Sequence, residues 1–147
     1  MAAVLVVDTS PNMAYVHQGQ SRLQAAQELG GWLLERLPDG SQAAILSGEQ
    51  LGLLGGDLAS AARQLRRLEV EDRVTPLPLR LRQALDLVAA SELQRREVYV
   101  LSDLTLPGWQ GAAEAGLLEQ LESGPPVLLQ LVDVGLDQSR NWRIEEV

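Results

Sequence analysis

Six apolar positions in a row, Ala2-Ala3-Val4-Leu5-Val6-Val7, stop at Asp8. A short unbroken run of this kind suits a strand covered on both faces, as in parallel sheets. Ser21 followed three residues later by Gln24 is the signature of a capping box, and Leu23, Ala26, Leu29, Leu33 and Leu37 then recur at helical spacing until Pro38-Asp39-Gly40. Gly30 and Gly31 lie inside this helix and each costs roughly 1 kcal/mol relative to alanine, so close packing against the sheet is the expected reason for both. Ala43 to Leu46 reads as a second strand, and Gly48 with the run Leu51 to Leu54 predicts a hairpin into an antiparallel edge strand. Asp57 is placed to cap a helix with Leu58, Ala61, Ala62, Leu65 and Leu68 on one face, followed by a polar loop, Glu69 to Arg73. Another helix follows Pro78 with Leu81, Ala84, Leu85 and Val88 facing inward. Val98-Tyr99-Val100-Leu101 then repeats the opening pattern and ends near a second carboxylate, Asp103. A fourth helix is expected around Ala113 to Leu121, broken by Gly124-Pro125-Pro126, with Val127 to Val132 as a further buried strand and Asn141 to Val147 as an edge strand.

Alternating strands and helices with apolar strands predict an α/β fold: a doubly wound, mostly parallel sheet with one antiparallel edge strand and helices on both faces. The 147 residues suit one domain, with no repeat or linker inside it. Ligands of such sheets collect beyond the carboxyl ends of the strands, where Asp8 and Asp103 both fall.

Composition narrows the chemistry. Twenty acidic against 12 basic residues give a net charge of -8, which disfavours nucleic acid and anionic lipid as partners. Every basic residue is arginine, so a phosphate-binding lysine or a Schiff base has no candidate. Absence of cysteine removes thiolate chemistry and cysteine-type zinc sites, and leaves the compartment open. No apolar run approaches the ~20 residues that span a bilayer, so this segment is not expected to insert into a membrane.

The candidate site begins at Asp8-Thr9-Ser10-Pro11-Asn12-Met13, where a carboxylate is followed at alternate positions by hydroxyl and amide oxygens, a set suited to a hard cation. Thr75 in Val74-Thr75-Pro76-Leu77 adds a hydroxyl, and Asp103 in Leu101-Ser102-Asp103-Leu104-Thr105 adds a carboxylate from another strand. Each has a plainer reading: an Asp-x-Ser turn caps nearby amides, and Thr75 caps the helix after it.

These residues resemble the metal-ion-dependent adhesion site of the von Willebrand factor type A family: Asp-x-Ser-x-Ser, a distant threonine, and an aspartate ending a later strand. Asp8, Ser10, Thr75 and Asp103 match it by type and order, while Asn12 stands where the family has serine, after Pro11. Asp103-Leu104-Thr105 with Trp109, and Val132-Asp133-Val134-Gly135, look most similar to bacterial aerotolerance-regulator-like members. The resemblance spans nearly the whole chain. It implies a non-enzymatic protein-protein interaction module in which Asp8, Ser10, Asn12, Thr75 and Asp103 hold magnesium, or manganese or calcium, and a partner's aspartate or glutamate completes the shell. Met13 and Trp109 are the candidate partner-surface residues. It also implies that residues 1–147 are one domain cut from a longer, membrane-anchored chain.

Two other readings stay open. A metal-free scaffold would keep the fold and bind partners without an ion, which Asn12 and Pro11 make credible. A phosphate-handling α/β enzyme could also use aspartates at strand ends, but it wants a lysine and a second aspartate where this chain has Ser10. His17 is the one histidine, which rules out a histidine metal cluster and leaves a Ser-His-Asp triad only that residue to recruit. Trp109 has packing as its plain reading, as have Trp32 and Trp142.

Overall fold

The opening apolar run forms β1 (Ala2–Val7), buried at all six positions because it is flanked in the sheet and covered on both faces. The computed structural model describes residues 1–111, 116–135 and 140–144. After β1 come a short hairpin, β2 (Val16–His17) and β3 (Gln20–Ser21), then α1 (Arg22–Glu35), β4 (Gln42–Leu46), α2 (Leu58–Arg66) and α3 (Leu77–Ala89). The remainder is β5 (Arg96–Ser102), α4 (Leu117–Ser123), β6 (Leu128–Asp133) and β7 (Arg140–Ile144).

The main sheet has the order β4-β1-β5-β6-β7. Its first four strands run parallel and β7 pairs antiparallel to β6 at the edge. The side chains of β1 alternate between two cores. Ala3, Leu5 and Val7 face α1 and α2, with Leu23, Ala26 and Leu65; Ala2, Val4 and Val6 face α3, with Leu81, Ala84 and Val88. Each Val or Leu so enclosed contributes about 1.5–3 kcal/mol through removal of apolar surface from water. The chain leaves β1 toward one face of the sheet and leaves β5 toward the other, so a crevice opens beyond the carboxyl ends of these two neighbouring strands.

The doubly wound α/β fold with one antiparallel edge strand is as expected, but β7 alone provides that edge. The segment predicted as a hairpin strand, Leu51 to Leu54, makes only isolated bridges, Leu46 to Leu51 and Ala43 to Gly55. Those bridges are antiparallel, so the segment does run back beside β4, but one extra residue between them, where a Cβ on Gly52 would sit 2.6 Å from the Ile45 carbonyl oxygen, keeps it from pairing as a continuous strand. The expected start of the last helix at Ala113 falls partly outside the described residues, and its described part begins at Leu117. The β2–β3 hairpin was not foreseen. Its turn places Gln18 and Gly19 at φ of 51° and 78°, the two positive values that a two-residue hairpin loop needs.

At α1 the capping box is present in both directions, Gln24 N–H to Ser21 Oγ at 3.0 Å and Ser21 N–H to Gln24 Oε1 at 2.8 Å. Its two glycines separate. A Cβ on Gly30 would lie 2.8 Å from Leu65 Cδ2 and 3.1 Å from Leu5 Cδ2, whereas a Cβ on Gly31 would meet nothing within 4 Å. Close packing therefore explains Gly30 and not Gly31. Gly31→Ala is expected to stabilise the domain by about 0.5–1 kcal/mol through helix propensity. Gly30→Ala is expected to fall below Gly31→Ala by at least ~1 kcal/mol, because Leu65 is enclosed and the added methyl overpacks it. Urea denaturation of the two variants reads the difference directly.

Candidate functional site

β1 and β5 pair in register through Val7 and Leu101, and the Asp8 N–H continues the ladder to the Leu101 carbonyl at 2.9 Å. Asp8 and Ser102-Asp103 therefore emerge side by side at the same end of the sheet. Asp8 is buried, and burial obliges its carboxylate to find donors. Its Oδ1 accepts the Ser10 N–H at 2.9 Å and the Ser10 hydroxyl, and its Oδ2 accepts the Ser102 hydroxyl at 2.6 Å. The Asp-x-Ser spacing thus closes a turn on its own carboxylate, as the plainer reading of that motif expects. The same residues also bind other loops.

Thr75 is fully buried and makes the cross-link. Its N–H donates to Ser10 Oγ at 2.8 Å, and its Oγ1 accepts the Thr9 N–H at 2.9 Å. The helix after it is capped by Pro76 with no side-chain bond, so Thr75 serves the loop after β1 rather than α3. Thr9 Oγ1 in turn donates to Glu71 Oε1 at 3.0 Å, lies 3.2 Å from Thr75 Oγ1, and accepts the Gly48 N–H at 3.1 Å. Arg80 clamps the Gly48 loop from α3, donating to the carbonyls of Ser47 and Gly48 at 2.5 and 2.6 Å. Gly48 has no room for a side chain, since a Cβ would lie 2.9 Å from Thr9 Oγ1.

Asp103 is held by a second set of donors. Thr105 gives its N–H and hydroxyl to Oδ1 at 3.3 and 3.1 Å. Oδ2 accepts from the Asn12 amide nitrogen and pairs with the Arg22 guanidinium at 2.9 Å. Leu104 takes a φ of 55° to make this turn, a left-handed conformation unusual for leucine, and its N–H donates to Ser102 Oγ at 3.0 Å. From the other side Gly135 presses on the aspartate, and a Cβ there would stand 2.9 Å from Asp103 Cβ. The Val-Asp-Val-Gly ending thus has a steric reason for its glycine.

Asp8, Ser10, Asn12, Thr75 and Asp103 are therefore drawn into one cluster at one sheet end, with three loops contributing. Their orientation is a separate matter. All four carboxylate oxygens already accept hydrogen bonds, and Asn12 presents its amide nitrogen, a donor, to Asp103 and at 3.1 Å to Thr105 Oγ1. Arg22 brings a full positive charge against Asp103. A divalent ion about 5 Å from that guanidinium would be repelled by roughly 7 kcal/mol at an effective dielectric of about 20. As arranged, these residues do not fit a divalent cation.

Of the candidate partner-surface residues, Met13 is a correction: it is 0% exposed, within the core cluster of Leu5, Val7 and Leu23, and cannot reach a partner. Its apolar side chain fills the space under the turn after β1. Trp109 is half-buried against the core cluster of Leu77 and Leu81. His17 is exposed on β2. Arg22, Glu71 and Arg80 were not singled out from the sequence, and Gly48 only as a turn residue. Only Ser102, beside Asp103 in the quoted motif, carried a local signal.

No family model matches the chain. No curated protein matches it either. Among solved structures, the chain is similar to the conserved hypothetical protein BatB from Bacteroides thetaiotaomicron, with a TM-score of 0.71 and 18% identity, over 99% of this chain and 80% of that one. It is also similar to an aerotolerance-related membrane protein from Bacteroides fragilis NCTC 9343 bearing multiple mutations to serine, with a TM-score of 0.66 and 17% identity, over 98% and 81% of the two chains. At these identities the likeness establishes the fold alone, an α/β sheet of the Rossmann-like kind. Among the described residues of this chain, no helix is long and apolar enough to cross a membrane.

The cross-link at Thr75 gives a direct test of the network. Thr75→Val keeps the shape but leaves the buried Thr9 N–H without an acceptor, and is expected to cost about 2 kcal/mol. Thr75→Ser keeps the hydroxyl and should stay within about 1 kcal/mol of the parent. A larger loss for Thr75→Ser than for Thr75→Val in chemical denaturation would mean that the methyl group, not the hydrogen bond, is what matters there.

Proposed function

We propose that this domain is a non-enzymatic protein-protein interaction module whose partner surface is formed by the loops beyond β1, β4 and β5. The observation that carries the reading is the network itself. Residues from four separated segments, Asp8–Asn12, Gly48, Glu71–Thr75 and Ser102–Thr105, are bonded into one rigid edge. Rigid loops cost little ordering entropy on association. Beside them in the chain are exposed apolar side chains, Tyr15, Val16 and Val74, of the kind that partner surfaces use. Neither lysine nor cysteine exists in the chain, and the Ser10 hydroxyl is held between Asp8 and the Thr75 amide, which supplies no ordinary nucleophile and base.

Two forms of this reading differ in the cation. In the ion-dependent form, Asp8, Ser10, Asn12, Thr75 and Asp103 would hold magnesium, manganese or calcium, after Arg22 has left Asp103 and Asn12 has turned its oxygen inward. In the metal-free form nothing moves, and the Arg22–Asp103 pair favours it. The name of the Bacteroides fragilis neighbour supports a parent chain anchored in a membrane, with this segment carried outside the bilayer.

Site-specific photo-crosslinking in the native cells tests the module. A photoreactive residue at Val74, exposed beside the network, should give a discrete adduct of higher mass. One at Asp39, in the exposed loop before β4 at the opposite end of the sheet, should give none. Equal labelling from both positions, or none from Val74, would count against this edge as the partner surface. Hydrolysis of p-nitrophenyl phosphate that disappears in Asp8→Asn would instead support a phosphate-handling enzyme.

A further inference from the structure

We infer that Arg22 is the resident cation of this site: its guanidinium neutralises Asp103, the outer of the two strand-end aspartates, in place of a divalent ion and keeps such an ion out. This deepens the interaction-module reading by specifying how the partner surface is charged, and it rests on that reading only for its biological use.

The inference starts from exposure. The side chain of Asp103 is 1% exposed and that of Arg22 is 24% exposed, so in this pair the group that solvent or a partner meets is the cation. The guanidinium is steadied from a second direction by Tyr15, over whose ring it lies 4.6 Å from the centroid. Tyr15 is 59% exposed, so the stacked pair stands at the rim of the crevice. Arginine suits this post because its planar group can bond a carboxylate and stack on an aromatic face at once, and its charge does not titrate away.

Position follows from the backbone. Arg22 is the first residue of α1, and the capping box at Ser21 and Gln24 fixes where that helix starts. The β2–β3 hairpin returns the chain from Val16 to Ser21, and the Arg22 N–H donates to the Tyr15 carbonyl at 3.0 Å. Stacking partner and guanidinium are thus joined by backbone as well as by side chain. Asn12 completes the arrangement by donating to the same Asp103 oxygen that Arg22 contacts. Where a ligating oxygen would be needed, two departures from an open ligand set both supply protons. The Nε and second terminal nitrogen of Arg22 make no hydrogen bond among the described residues, so a carboxylate arriving at the rim meets free guanidinium donors without any metal.

Titration of manganese alone into the folded domain, followed by calorimetry and by loss of the free manganese spin-resonance signal, tests this without knowing the partner. The parent should show no saturable binding up to millimolar metal. Arg22→Gln, which keeps an amide donor for Asp103 but removes the charge, and Arg22→Gln combined with Asn12→Ser should bind progressively, the double variant at least tenfold tighter than the parent. Adding Asp8→Asn to the double variant should abolish the gain. Circular dichroism and thermal melts establish that each variant is folded. Saturable submillimolar binding by the parent that Asp8→Asn removes would overturn the inference while leaving the crosslinking result intact. A folded double variant that binds no tighter than the parent would overturn it as well. Failure of the crosslinking with manganese results as expected would remove the interaction reading and leave the charge assignment standing.

Discussion

A carboxylate buried at the end of an interior parallel strand has to be surrounded by donors, and much of this edge of the molecule follows from that requirement. Asp8 cannot reach water, and leaving it without partners would cost far more than a domain can spare. Because β1 and β5 pair in register, the nearest donors are the Ser10 turn on its own strand and Ser102 at the end of its neighbour. Satisfying Ser10 recruits the Thr75 amide, and Thr75 then satisfies Thr9. One buried charge thereby ties together loops that lie far apart in the chain. Polar groups bonded in this way rigidify a site, since loosening any member exposes the others to the same desolvation cost.

The same edge explains how much could be read beforehand. Strand runs ending in Asp8 and near Asp103 are local patterns, and the parallel alternation that brings them to one end follows from crossover connections of fixed hand. Asp8, Ser10, Thr75 and Asp103 were therefore legible both as a group and as a place. The capping box of α1 and the Asp57 cap of α2 were legible because each is decided within four residues. The edge segment after Gly48 was legible only in part: it does run antiparallel beside β4, but apolar residues at Leu51, Leu53 and Leu54 look the same whether the pairing is continuous or reduced to two bridges. The extra residue between those bridges, where Gly52 closes on the Ile45 backbone, has no mark in the apolar pattern. Met13 shows the opposite error: lying next to a polar motif, it was assigned to the surface, although a turn after a buried strand needs an apolar residue beneath it.

Arg22 was illegible for a different reason. In sequence it is one arginine among 12 basic residues, at the first position of a helix, where a positive charge is ordinarily slightly unfavourable. Its partner lies 81 positions away. Nothing local signals the contact, and the hairpin that aims it was itself unforeseen, since Gln18-Gly19 is a weak turn signal. Glu71 shares this history, reading as part of a polar loop until its side-chain and backbone bonds to Thr9 place it.

Likeness of fold and likeness of site are separate quantities here. With 18% identity over nearly the whole chain, the solved neighbours support the sheet, its order and the crevice, all of which depend on apolar patterning that many sequences satisfy. The charge balance of the crevice depends on single side chains. Asn12 and Arg22 come from different segments, a turn and a helix start, yet both donate to the same oxygen of Asp103. An amide at position 12 is well suited to its place only while something else neutralises that aspartate, because a neutral donor alone leaves the buried charge uncompensated. The guanidinium in turn can sit there without rivalry only if no metal ion competes for the same carboxylate. Each departure makes sense given the other, so the two are best understood as one substitution of a cation held by covalent tether for a cation held by coordination.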